Sequence, residues 1–215
     1  MLRVTNLSGF GGGNRVLHTL SEHASATSTA STVTGPSTII AGDILVLWDR
    51  ASNAVAPAPS SVTPTGFSNV LDFTIGPTKG MASVKVADGS EASASITGMD
   101  GSASDRKMLY VFRGNIPATT ATAQDAASEG TDGNPAAQTA NASGSTKPVI
   151  VIGCYGSGSA VDPRTFSPAK DGEISAATNA WLAYKIYNSS PQDVTIDMDD
   201  EGLQNTLGSF YLECA

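Results

Sequence analysis

Residues 84–113 and 184–213 are two versions of one pattern, set 100 positions apart and aligned without a gap. Lys85 meets Lys185, Ser90 meets Ser190, Ile96 meets Ile196 and Asp100 meets Asp200. Tyr110-Val111-Phe112 meets Phe210-Tyr211-Leu212. Each copy reads strand, turn, strand, long turn, strand. An internal repeat constrains a fold strongly, because each copy must form the same supersecondary unit. The expectation is an all-β protein, an antiparallel two-sheet sandwich of jelly-roll character, built from two related halves.

The rest of the chain fits that frame. Ile44-Leu45-Val46-Leu47-Trp48 and Val149-Ile150-Val151-Ile152 are continuous apolar runs, as expected of strands buried on both faces. Residues 51–64 hold Pro57, Pro59 and Pro64, which exclude a central strand and predict a surface loop. Asp88-Gly89 predicts a hairpin between residues 81–87 and 92–97. Residues 1–37 combine the glycine cluster at 9–13 with the Ser/Thr/Ala run at 24–34. Too few apolar side chains lie there to fold alone, so an extended N-terminal arm is expected, either disordered or ordered on a neighbouring subunit. The body is then a single sandwich domain over residues 38–215. Its halves span about 38–115 and 148–215, joined by a polar connector at 116–147.

Acidic residues outnumber basic ones 20 to 12, for a formal net charge of −8. That surface repels phosphate backbones and anionic bilayers, so neither nucleic acid nor a membrane is an expected partner. No apolar run approaches a membrane span, and residues 1–22 lack the apolar core of a secretory signal. Synthesis in a cytoplasm is expected. Cys154 and Cys214 lie in or beside strand-like runs and are expected as two small buried apolar residues, with one bridge between neighbouring strands as the alternative.

No catalytic, cofactor or metal site is expected. His18 and His23 lack the companion ligands that zinc requires. Residues 9–13 lack the Gly-Lys-Ser/Thr ending of a phosphate loop. Residues 153–158 have the wrong spacing for a nucleophile elbow, and no histidine follows them. Asp197, Asp199, Asp200 and Glu201 form the densest acidic cluster, expected as a solvated turn, with calcium as the alternative. Asp162 and Asp171 are lone loop carboxylates. Among the aromatics, Trp48 and Trp181 sit in the most apolar runs and are expected in the core, while Tyr155 and Tyr187 are either core or a sugar-binding face.

Four phrases occur in order: Ala41-Gly42-Asp43-Ile44-Leu45-Val46, Pro64-Thr65-Gly66-Phe67, Lys85-Val86-Ala87-Asp88-Gly89-Ser90-Glu91, and a strand ending in Arg113-Gly114. This order resembles β-sandwich domains of structural proteins in tailed bacteriophages and related prophage particles, with Phe67 where Trp is usual. The resemblance spans about residues 37–114 and carries no catalytic residues. It implies a non-enzymatic virion protein, in first place a capsid decoration or cement protein. Its partners would be the major capsid protein or other virion subunits, and it would form a homo-oligomer. The arm would be the docking element. The alternative is a tail-tip or fibre module binding host glycan through exposed loop aromatics such as Phe67 or Phe166.

Overall fold

The computed structural model describes residues 19–114, 121–131, 133–158, 164–198 and 204–214. The first half supplies β1 (Leu20–Ser28), β2 (Thr32–Thr34), β3 (Ile44–Ser52), β4 (Ser68–Ile75), β5 (Thr78–Val86), β6 (Ser95–Thr97) and β7 (Ser104–Gly114). The second supplies β8 (Ala121–Thr131), β9 (Gln138–Ala140), β10 (Val149–Gly156), β11 (Arg164–Ser167), β12 (Gly172–Ser175), β13 (Ala180–Tyr187), β14 (Val194–Met198) and β15 (Asn205–Cys214). A 3-10 turn, Ala142–Gly144, follows β9.

The two halves share one topology. The first forms a five-stranded sheet in the order β1-β7-β3-β5-β4 and the second a sheet in the order β12-β13-β10-β15-β8. Read from the other edge, the second order is β8-β15-β10-β13-β12, each strand standing where its counterpart stands in the first. The register repeats too. Ile44 faces Val86 and Phe112, and Ile150 faces Ile186 and Leu212. The matching edge pairings β1 with β7 and β8 with β15 each carry a register shift, and so does β4 with β5 at the first sheet's other edge. Each half adds a small outer sheet, β2-β6 in the first and β11-β14-β9 in the second.

The large sheets pack face to face, and each small sheet covers an outer face. Ile44, Val46, Trp48, Tyr110 and Phe112 of the first half meet Ile150, Ile152, Cys154, Leu182 and Phe210 of the second in one central cluster. Leu45, Leu47, Leu109 and Val111 pack outward against Val33 and Ile96. Val149, Val151, Tyr155 and Trp181 pack outward against Val194, Ile196 and Phe166. This layering explains why β3 and β10 are unbroken apolar runs: both of their faces are covered.

Three expectations are corrected. The arm expected at 1–37 is part of the body over its described portion, because β1 pairs with β7 and β2 with β6. An edge strand has one neighbour and a half-covered face, so small side chains such as Ala24 and Ala26 suffice to pack it. The connector expected at 116–147 holds β8 and β9 for the same reason. The Asp88-Gly89 turn does not close a hairpin: the chain crosses to the small sheet, where β6 pairs with β2. Residues 1–18 lie outside the described portion.

Candidate functional site

The motif phrases converge at one end of the first half. Asp43, buried in the turn before β3, accepts hydrogen bonds from Arg113 Nε (2.6 Å) and Nη2 (2.6 Å) and from the Ile40 amide (2.9 Å). The paired guanidinium is held above its usual pKa by these hydrogen bonds. Gly42 and Ala87 are tied by the bonds Gly42 N–H to Ala87 C=O and Ala87 N–H to Asp43 C=O. Lys85 bridges Glu91 and Asp88, and hydrogen bonding to Glu91 raises its pKa. Glu91, buried, also accepts the Gly89 amide. Gly66 has a left-handed φ of 80° and lies under Lys85, so a Cβ there would press on the lysine stem. Each of these phrases is therefore a turn device that fixes how strands enter the sheet.

At this same end the described chain begins, and its first strand is bound to the other half. Leu20, 3% exposed, packs into the central cluster. Its amide donates to Asn188 Oδ1 (2.5 Å) and its carbonyl accepts from Asn188 Nδ2 (3.2 Å). One side-chain amide thus satisfies both backbone groups, as a neighbouring strand would. Two residues on, Glu22 accepts the Tyr184 hydroxyl at 2.7 Å. Burial, then this bond, pushes the Tyr184 pKa up. Tyr184 stacks edge-on against Tyr110 (4.9 Å) and Phe112 (5.1 Å). The start of β1 is thus held in a clamp made by both halves.

The opposite end is polar and charged. On the outer face of the first sheet, cross-strand partners Asp49 and Lys107 form a fully buried ion pair at 2.8 Å. Lys107 also donates to the Met99 carbonyl (2.6 Å), and Asp49 accepts the Met99 amide (2.8 Å). Burial outweighs these partners and raises the Asp49 pKa to about 6. On the inner face the neighbouring partners are Arg50 and Arg106.

The remaining sequence candidates fall in structural places. Trp48 and Trp181 are core, Trp48 donating its indole N–H to the Tyr155 carbonyl at 3.2 Å. Tyr155 is core as well, its hydroxyl donating to the Thr165 carbonyl, and Tyr187 is half-buried. Cys154 and Cys214 are both free and buried, so no bridge joins them, and burial pushes Cys214 up to about 12. Cys154 lies mid-strand in β10, raised well above the usual thiol range by burial. His23 is exposed on β1. Asp171 holds Lys185 and the Ile186 amide, both at 2.8 Å. Phe67 is half-buried and Phe166 is 9% exposed, so neither presents a free aromatic face. Asp197 accepts the Met198 amide, while His18, Asp162, Asp199, Asp200 and Glu201 lie outside the described residues. Among the described residues no group of three His, Cys, Asp or Glu side chains is placed to hold a metal.

No family model matches the chain, and neither the curated proteins nor the solved structures contain a match.

Proposed function

We propose that this chain is a non-enzymatic structural protein of a tailed-phage particle, a decoration or cement subunit that docks on the assembled shell. The observation that carries the reading is the rooted start of β1. Leu20 and Glu22 are fixed by Asn188 and Tyr184 at the end where the resemblance-bearing turns are gathered. A segment leaving such a rigid clamp loses less entropy on docking than one leaving a loose terminus. Binding the assembled shell but not free subunits stabilises the shell by mass action. The acidic chain, with its net charge of −8, would meet a basic patch of the major capsid protein. The glycan-binding alternative gains no support, because Phe67 and Phe166 are packed against the body.

The clamp dictates the test. Removing residues 1–37 would strip β1 and β2 from the sandwich, so the informative truncation ends at residue 18. Capsids of the particle that encodes the chain, stripped of accessory proteins, should co-sediment the full chain. They should fail to co-sediment the chain lacking residues 1–18, which should keep the full chain's melting temperature. Equal co-sedimentation of both would refute the docking role of that segment. No co-sedimentation of the full chain would refute the capsid reading.

A further inference from the structure

Of the ion pairs among the described residues, Lys107–Asp49 is the one with both side chains shut off from solvent, each 0% exposed. The two residues are 58 positions apart in the chain and directly opposite on β3 and β7. Lys107 Nζ stands 2.8 Å from Asp49 Oδ1 and also donates to the Met99 carbonyl at 2.6 Å. Asp49 Oδ2 accepts the Met99 amide at 2.8 Å. Met81, the partner of Asp49 on β5, packs with Ala51 and Met99 in a small apolar cluster. Gly98 closes over the pair. A Cβ there would collide with Asp49 Oδ2 and come within 3.2 Å of Lys107 Cε, so glycine is what lets the chain lie this close.

An amine held against a carboxyl without water is the reactant state of amide formation. Water ordinarily opposes that reaction by keeping both groups charged and by hydrolysing the product. Burial favours the neutral forms of ionisable groups. At Asp49 burial outweighs Lys107 and Met99 and holds the proton on, and the like charge of Asp105, on the same face of β7 as Lys107, adds to it. The fold also keeps the reacting groups in contact, and effective molarities for well-oriented groups reach about 10⁵–10⁸ M. The Met99 amide sits on the carboxyl oxygen that would carry the developing negative charge, as a donor in an oxyanion site does.

We propose that Asp49 and Lys107 condense to an intramolecular isopeptide bond that joins β3 covalently to β7. A proton passes from the Lys107 ammonium to Asp49 Oδ1. The Nζ lone pair attacks Asp49 Cγ, and the negative charge of the tetrahedral intermediate rests on Oδ2 beside the Met99 amide. The Cγ–Oδ1 bond then breaks, and the departing hydroxyl takes a second proton from Nζ and leaves as water. One carboxylate and one ammonium become one amide and one water, with no oxidant and no net change in protons. Among the described residues no second carboxylate lies within ion-pair distance of Nζ, so the proton transfers are unassisted and the conversion is slow. The ion pair, with its stability and its titration, is the state of the chain before this step.

The test is intact-mass spectrometry of the purified chain, fresh and after long incubation in the folded state. The mass should fall by one water, and digestion should release one branched peptide joining the Asp49 and Lys107 fragments. Chain incubated in urea should keep its full mass, because the reaction needs the fold. Lys107→Arg should keep it too, because a guanidinium does not form the bond. Asp-Gly pairs at 88–89, 100–101, 132–133 and 171–172 can also lose water, by closing to a succinimide. A loss that persists in Lys107→Arg, or that maps to one of those pairs, therefore overturns the crosslink. So does an unchanged mass in wild type, or a digest without the branched peptide. That peptide decides the matter even where the variant fails to fold.

Discussion

The two halves place the same strands in the same order and register, yet fill equivalent positions with opposite chemistry. Where β3 carries Trp48, Asp49 and Arg50, β10 carries Cys154, Tyr155 and Gly156. Where β7 carries Arg106 and Lys107, β15 carries Thr206 and Leu207. On the inner face the exchange is complementary. Large side chains of the first half lean over small ones of the second, with the Trp48 ring bonded to the Tyr155 carbonyl and Arg50 seated against Gly156. On the outer face, the slot of the buried Asp49–Lys107 pair is filled in the second half by Tyr155 and Leu207, which belong to an apolar cluster. The lesson is that topology here is set by the spacing of apolar runs and turns. Packing is settled position by position between the halves.

Four measurements break or sharpen that contrast. The largest effect belongs to the buried ion pair. Asp49→Leu or Lys107→Leu alone should cost about 3–5 kcal/mol in urea unfolding, because each strands a buried charge. The double variant, which gives the first half an apolar slot like the second's, should cost less than either single. A double variant as damaging as the sum of the singles would show that the slot cannot be made apolar.

Next is pH. Asp49 has a folded-state pKa of about 6 against an ordinary 3.8, so the folded state holds its proton more tightly. Its contribution is full below about pH 4 and is lost as pH rises through about 6, a change of order 3 kcal/mol. The melting temperature of wild type should carry this falling component between pH 4 and 6, and the double variant should lack it. Identical profiles would contradict the assignment.

Third, Gly156→Ala should destabilise by about 2 kcal/mol through its collision with Arg50 and Thr206. Adding Arg50→Ala should recover part of that loss. Gly144→Ala, where nothing lies within 4 Å, should change stability by less than about 0.5 kcal/mol. Equal costs at both glycines would remove the large-against-small account of the seam.

The smallest effect is at the surface. Lys79 pairs with Asp72 at 2.5 Å on the β4–β5 edge, and Lys79→Ala should cost about 0.5 kcal/mol. Its counterpart, Asn179, bonds Arg106 across the seam, and Asn179→Ala should cost more.

Part of this was legible in the chain. The 100-residue spacing carries straight into three dimensions: β5, β6 and β7 recur as β13, β14 and β15. The apolar runs beginning at Ile44 and Val149 are the central strands, and the prolines mark the loop before β4. The Ser/Thr/Ala segments were misleading. β1 and β8 contribute few large side chains and depend on β7 and β15 for their pairing, a tertiary effect that local composition does not carry. The site chemistry was hidden for a related reason. Asp49-Arg50 and Asp105-Arg106-Lys107 stand at the ends of apolar strands, where charges usually reach solvent. Only the register of β3 on β7 brings Asp49 to Lys107 and Arg50 to Arg106. The motif phrases were readable as turns, but not as one network, since the Asp43–Arg113 pair spans most of the first half.

The central functional claim meets its most direct test in cryo-electron microscopy of stripped capsids mixed with the purified chain. The account predicts regular added density across the shell at capsomer boundaries, with the β1 end of the sandwich, where Leu20 meets Asn188, turned toward the capsid. Bare shells, or density confined to the tail, would contradict it.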